Sequence, residues 1–170
     1  MAGFMDRCKR QWRHWRASSS QARSLFPDAT LSALGQAIAS GEQRHRGEVR
    51  LIVEHALPSE AIWADVSMRQ RALALFAEYG VWDTEERCGV LLYVNLAERK
   101  VEIVADRQIA GKIDAPVWQQ VCRRMTDGFA RGDFLTGTQA AIDQVNGLLA
   151  THFPANGSRP NELPDRPVVL

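Results

Sequence analysis

The chain is predicted to be an α/β protein: a three-layer α/β/α sandwich around a small mixed sheet that contains a β-hairpin. Three observations predict it. Residues 48–54 (EVRLIVE) and Val90 to Val94 are short β-branched, apolar runs of strand character. A stretch of helical periodicity, Ala61 to Tyr79, lies between them, and a strand-helix-strand unit crosses over right-handedly and leaves its strands parallel. Val90 to Val94 and Val101 to Val104 flank the short polar segment Asn95 to Lys100, so this second pair is antiparallel. Parallel and antiparallel neighbours make the sheet mixed, and helices before, between and after the strands cover both faces.

The elements follow in chain order. Residues 1–25 form a basic, aromatic arm, separated from the rest by Ser18, Ser19 and Ser20. Phe26-Pro27-Asp28 opens a helix with Leu31, Leu34, Ala37 and Ile38 on one face, ended by Gly41 or Gly47. In the first strand Val49, Leu51 and Val53 alternate with Glu48, Arg50 and Glu54, and Pro58 lies beyond its end. Ile62, Val66, Leu73, Leu75 and Phe76 give one helix from Ala61 to Tyr79, with Gly80 as its stop. The hairpin follows. Asp114 then reads as an N-cap before Pro116, opening a helix through Trp118, Val121 and Met125. Gly132-Asp133 breaks it, and a last helix from Thr136 to His152 turns Ala140, Ile142, Val145 and Leu149 inward. Residues 26–154 are thus one domain, and the proline-rich tail 155–170 is expected to be mobile.

Composition narrows the function classes. The 170 residues, 45% of them hydrophobic, suffice for one buried core. The net charge of +1 conceals an asymmetry: residues 1–23 carry six basic side chains against Asp6 alone, and the other fifteen basic residues face nineteen acidic ones. Cys8, Cys88 and Cys122 have no CxxC spacing, which argues against a disulfide framework or a zinc site and for reduced thiols. No apolar run approaches the ~18 residues of a membrane span, and the first residues lack a secretory apolar stretch. A cytoplasmic protein, peripheral at the membrane if its arm engages one, is the expectation. In the arm Phe4, Met5, Trp12 and Trp15 alternate with arginines. Two readings stand: an interfacial helix on anionic lipid, or a frayed arm whose tryptophans dock on its own domain. The arm is too short, and lacks any reader fold, for specific nucleic-acid binding.

Strand direction gathers the candidate site. The antiparallel hairpin returns Asp106 and Arg107 beside the loop WDTEERCG, with Asp83, Glu85 and Glu86. The parallel first strand brings Arg44, His45, Arg46 and Glu48 to the same edge. Carboxylates crowded together raise a pKa, pair with a cation or bind metal. Oxygen ligands from Asp83, Glu86, Asp106 and Asp114 suit the hard cations calcium or magnesium, and Arg107, His45 and Glu48 are the candidates for holding phosphate or another ligand. The alternative is a solvated acidic loop with Arg87 and Arg107 as surface partners, each pair contributing ~0–1 kcal/mol. His45 has no nucleophile beside it and no GxSxG elbow exists, so no catalytic residue is named. Acidic neighbours make Cys88 a poor nucleophile, and Trp82 is placed as a wall of the cleft.

The order EVRLIVEHALP, RALALFAEYGVWDTEERCGVLLYVNLAERKVEIVADR, GKIDAPVWQQVCRRM and FARGDF resembles the TPM domain family, named for thylakoid-lumen, photosystem-assembly and related bacterial proteins, over roughly Asp28 to Pro154. The glycine at Gly89 opening VLLYV, the ERKVEIV return strand and the aspartate at Asp114 carry most of the resemblance. It implies an α/β/α sandwich with a carboxylate-lined cleft for a divalent ion, phosphatase activity as attributed to some members, and a role beside membrane complexes. Many members carry membrane anchors. This chain departs from the family at Cys88, where many relatives have asparagine, and at Asp106-Arg107-Gln108, where many have a glycine-aromatic-glycine turn. A close phosphate cradle favours glycine, so the departures weigh against inherited phosphatase chemistry.

Two functions are therefore expected. The first is a domain that binds calcium or magnesium through its carboxylates and acts as a binding or assembly module, with weak metal-dependent phosphatase activity at most. The second is a noncatalytic adaptor whose arm docks on a membrane surface or a protein partner. Binding ranks above catalysis, and the oligomeric state is not legible.

Overall fold

Strands β1 (Glu48–Glu54), β2 (Gly89–Asn95), β3 (Lys100–Ala105) and β4 (Val168–Val169) form one sheet in the order β3-β2-β1-β4. This is a computed structural model describing residues 3–157 and 160–170, so the first two residues of the arm and residues 158–159 of the tail lie outside the described residues. β1 runs parallel to β2 with Glu48 opposite Gly89 and Glu54 opposite Asn95. β3 returns antiparallel, Val90 opposite Ala105. The mixed sheet and its hairpin are as the sequence predicts.

Alternation along the strands decides what each face touches. Val49, Leu51, Val53, Val90, Leu92 and Val94 belong to one apolar core. It is covered by α3 (Asp28–Glu42), α7 (Ala115–Ala130) and α8 (Phe134–His152). Ile52, Leu91, Tyr93 and Val104 belong to the other, under α4 (Ser59–Trp63) and α5 (Met68–Glu78). Three layers result. Where α7 crosses α8 the backbones nearly touch: a Cβ on Gly128 would stand 3.0 Å from the Gly137 Cα. Two glycines let these helices approach.

The remaining helices are α1 (Phe4–Arg16), α2 (Ser19–Leu25) and α6 (Arg107–Ala110). The serine break is itself the start of α2, since Ser18 Oγ accepts from Gln21 N at 3.2 Å. The single helix expected over Ala61 to Tyr79 is two. Asp65 turns the chain at φ 57°, and Ser67 and Gln70 cap the new start reciprocally.

The tail departs furthest from expectation. Instead of hanging free, it packs at its end: Leu163 is buried, and Val168 and Val169 pair with Ile52 and Val53. Buried Arg50 holds this segment by donating to the carbonyls of Pro164 and Arg166, and Leu170 N donates to Val53 O at 2.8 Å. The exposed edge of β1 needed pairing, and these two residues supply it.

Candidate functional site

The edge where β1 and β2 begin and β3 ends carries the predicted residues. Gly89 opens β2 under a tight constraint, because a Cβ there would lie 1.8 Å from the Val81 carbonyl oxygen. Only glycine fits. Asp106 follows β3 and is tied to that glycine, its N–H donating to Gly89 O at 2.9 Å. Its side chain is buried: Oδ1 accepts from Arg107 N at 2.6 Å and starts α6, and Oδ2 has no hydrogen-bond partner.

The other acids do not join it. Asp83 and Asp114 are exposed, and Asp114 stands at the N-cap of α7 without a side-chain capping bond. Glu86 is committed to an ion pair with Arg46. Among the described residues no three His, Cys, Asp or Glu side chains are grouped so as to hold a metal ion. The expected four-carboxylate cage is therefore not preformed, because a turn at Arg87 (φ 54°) and the start of α7 send their acids to solvent while Asp106 turns in. Among the described acids at this edge, Asp106 Oδ2 is the buried oxygen left without a hydrogen-bond partner.

Arg107, His45 and Glu48 fare differently. Arg107 is exposed and places only its backbone against Asp106. His45 is buried and structural. Its Nδ1 lies 3.2 Å from Gly47 N and 3.1 Å from Gly47 O, and its Nε2 lies 3.0 Å from Asn146 Oδ1, so the neutral ring has partners at both nitrogens. Burial lowers the His45 pKa and keeps this neutral form. Asn146 in turn donates to Ala37 O at 3.2 Å, tying α8 to α3. Glu48 is buried and accepts from Leu163 N at 3.2 Å. Near it Glu42 accepts from Val49 N at 2.8 Å, and burial, with Glu48 and Asp165 beside it, pushes its pKa to about 9. Cys88 is buried, its N–H donating to Thr84 Oγ1 at 3.0 Å. Trp82 stays 53% exposed, its indole N–H donating to Ala77 O, so it walls no closed cleft.

Two polar networks were not foreseen. At the end of β1 the buried Glu54 carboxylate receives Arg71 Nη2 at 2.6 Å and the Tyr93 hydroxyl at 2.5 Å, with Asn95 Nδ2 at 3.3 Å. Burial and this carboxylate push the Tyr93 pKa up, so the phenol stays a donor. Every partner is satisfied, which suits a rigid structural network. Its sequence signal is an acid ending an apolar strand, in register with Asn95.

The second network fastens the arm. Glu98, in the hairpin turn, accepts from Arg10 Nε at 2.5 Å, His14 Nε2 at 3.0 Å and Arg13 Nη1 at 3.2 Å. Leu57 N donates to His14 Nδ1 at 2.9 Å. Arg10 also reaches Val66 O, and Gln11 reaches Ser59 Oγ. The face of α1 toward the domain is thus its polar one. Phe4, Met5, Trp12 and Trp15 point away and are 72%, 68%, 58% and 77% exposed. Exposed Lys9, Arg13 and Arg16 flank them, and Trp63, 44% exposed, extends the patch beside Phe4 with ring centroids 6.1 Å apart. An amphipathic helix ordinarily buries its apolar stripe; this one is inverted. Of the two readings of the arm, docking on its own domain is present, but through arginines and a histidine instead of tryptophans. No helix among the described residues is long and apolar enough to cross a membrane.

No curated protein matches the chain. Among solved structures, it is similar to the NMR structure of the BA42 protein from the psychrophilic bacterium Bizionia argentinensis, with a TM-score of 0.73 and 23% identity. That likeness covers 83% of this chain and 92% of the other, and it shows a shared fold. The TPM domain family profile matches residues 20–148, which span the sheet from β1 to β3 and every helix from α3 to α7. With three quarters of its length matched, and Gly89, the return strand and Asp114 all in place, the chain belongs to the TPM domain family.

Proposed function

We propose that this TPM domain is a binding module that docks on an anionic membrane surface through the outward face of α1. The observation that carries the reading is the inversion of that helix. Arg7, Arg10 and His14 are spent on Glu98 and on backbone carbonyls, leaving four large apolar side chains in solvent with cations at their margin. Aromatic rings at headgroup depth and flanking Lys and Arg on anionic lipid are what an interfacial helix requires. Full-length protein is expected to co-sediment with vesicles containing phosphatidylglycerol and to stay in solution with phosphatidylcholine alone. A Trp12→Ser, Trp15→Ser double variant should lose the binding while keeping its fold. Equal sedimentation of both proteins would remove the proposal.

A second reading rests on Asp106 Oδ2, the buried oxygen without a partner. Magnesium keeps several waters and takes one or two carboxylates, so it suits a lone carboxylate better than calcium, which wants six to eight oxygens. Calorimetry on protein freed of metal tests it. Heat that disappears in Asp106→Asn supports the reading, and no heat with either ion ends it. Neither reading requires catalysis.

A further inference from the structure

A cavity of about 910 Å³ opens on the opposite edge of the sheet from Asp106. Its floor is the C-terminal end of the two parallel strands: Val94, Asn95 and Leu96 at the end of β2, and His55 just past β1. One wall is the arm, from Arg13 through Ala17 and Ser18 to Leu25. The other is the α7–α8 corner, where Phe129 and Phe134 stack at 4.8 Å. Ligands of open α/β sheets bind outside the carboxyl ends of the strands, and small-molecule sites are of this size and largely apolar with a few polar groups.

Basic groups outnumber acids at this mouth. Arg13, Arg16 and Arg99 all line it. Glu98 is the single acid there, and Arg10, His14 and Arg13 occupy both of its oxygens. Arg99 sits in the left-handed region at φ 54°, an uncommon backbone for a residue that is not glycine. It is exposed, and among the described residues its guanidinium has no hydrogen-bond or ion-pair partner. Arg16 is held over the Trp12 ring at 4.6 Å and meets no carboxylate. A chamber lined partly by apolar side chains (Leu25, Val94, Phe129, Phe134) and partly by polar ones (Gln21, Asn95, Thr126) thus ends in guanidinium groups, the group best shaped for paired oxygens.

We propose that this cavity binds a single-chain amphiphile with an anionic head, the chain lying between Leu25, Val94, Phe129 and Phe134 and the head meeting Arg99 and Arg16. Arg16 also borders the outward face of α1, and the two sites are told apart by different variants. The probes are dodecyl phosphate and dodecanoate, both titrated into the full chain below their micelle thresholds, with inorganic phosphate and decanol as the head and tail alone. Saturable calorimetric binding of at least one anionic amphiphile is expected, with amide shifts at Leu96, Arg99 and Phe129, and much weaker binding of either fragment. The stronger of the two probes identifies the head.

Arg99→Ala, at an exposed position, should weaken binding about tenfold through loss of one charge-assisted contact. Ala130→Phe, at the exposed mouth, should abolish it. A Phe4→Ser, Trp15→Ser variant, which leaves the Trp12 ring under Arg16, should bind the monomeric amphiphile as the parent does. Absence of saturable binding below the micelle threshold would overturn the proposal. So would unchanged affinity in Ala130→Phe, or shifts confined to Phe4, Trp12 and Trp15.

Discussion

Arg10 and Glu98, 88 positions apart, meet at 2.5 Å and decide where the first helix lies. His14 and Arg13 converge on the same carboxylate, whose side chain is 9% exposed. Glu98→Gln keeps the shape and removes the charge that three residues of α1 share. Taking one partner from a largely buried pair strands the others, at a cost on the order of 3 kcal/mol. The expected outcome is release of α1 with the sheet intact, read as rapid tryptic cleavage at Arg13 and Arg16 without loss of the circular dichroism of the domain. Cleavage no faster than in the parent would refute the latch.

Acid should open the same latch. Hydrogen bonding from His14, then from Arg10, holds the Glu98 pKa down from an ordinary 4.5 to about 2. A carboxylate with a depressed folded pKa contributes its full stability above the unfolded value and loses it as pH falls toward the folded one. The arm is therefore fully docked above pH 4.5 and progressively released between 4.5 and about 2. The amide shift of Leu57, whose N–H donates to His14 Nδ1 in the docked state, would follow the release. The acid step should be absent in Glu98→Gln.

Glu42 carries the opposite sign. Burial raises its pKa to about 9, so the fold favours the protonated acid and loses stability as pH climbs from the ordinary carboxylate range toward 9. Glu42→Gln imitates the protonated form and can still accept from Val49 N. The variant should match the parent at acidic pH and exceed it at pH 8–9, by up to about 5 kcal/mol. Parallel melting curves across that range would contradict the raised pKa.

Two glycine variants separate packing from conformational freedom. Gly89→Ala would drive a methyl into the Val81 carbonyl and should prevent folding, seen as loss of a cooperative melt. At exposed Gly147, inside α8, a Cβ meets nothing within 4 Å. Gly147→Ala should therefore stabilise the protein by about 0.5–1 kcal/mol, since alanine is the better helix former.

Much of this architecture was legible because it is written in local periods. Val49, Leu51 and Val53 alternate into one core, and the hairpin between Val94 and Val101 closes over a short polar turn. The site was only half legible. Strand direction rightly brought Asp106 beside Gly89, yet it carries no information on where a loop side chain points, and Asp83 and Asp114 face solvent. In the sequence His45 reads as a ligand-holding residue because it is a titratable group near an acidic loop, whereas the folded chain ties it to Asn146, 101 positions away. The break at Asp65 had a readable cue in the Ser67 to Gln70 capping pair. β4 had none: two valines among prolines become a strand only because the edge of β1 lies open beside them.

That last pairing has a consequence in time. Val168 is set against Ile52, and Val169 against Val53, across more than a hundred residues of intervening chain. During synthesis the first strand emerges well before residues 168 and 169, and its outer edge lacks this neighbour until they are made. Contacts of such long sequence separation form late and slowly, and an unpaired edge in the interval is a template for wrong partners. The two valines and the Arg50 anchor therefore end that exposure, and the interval before they dock is when the chain is open to wrong pairing.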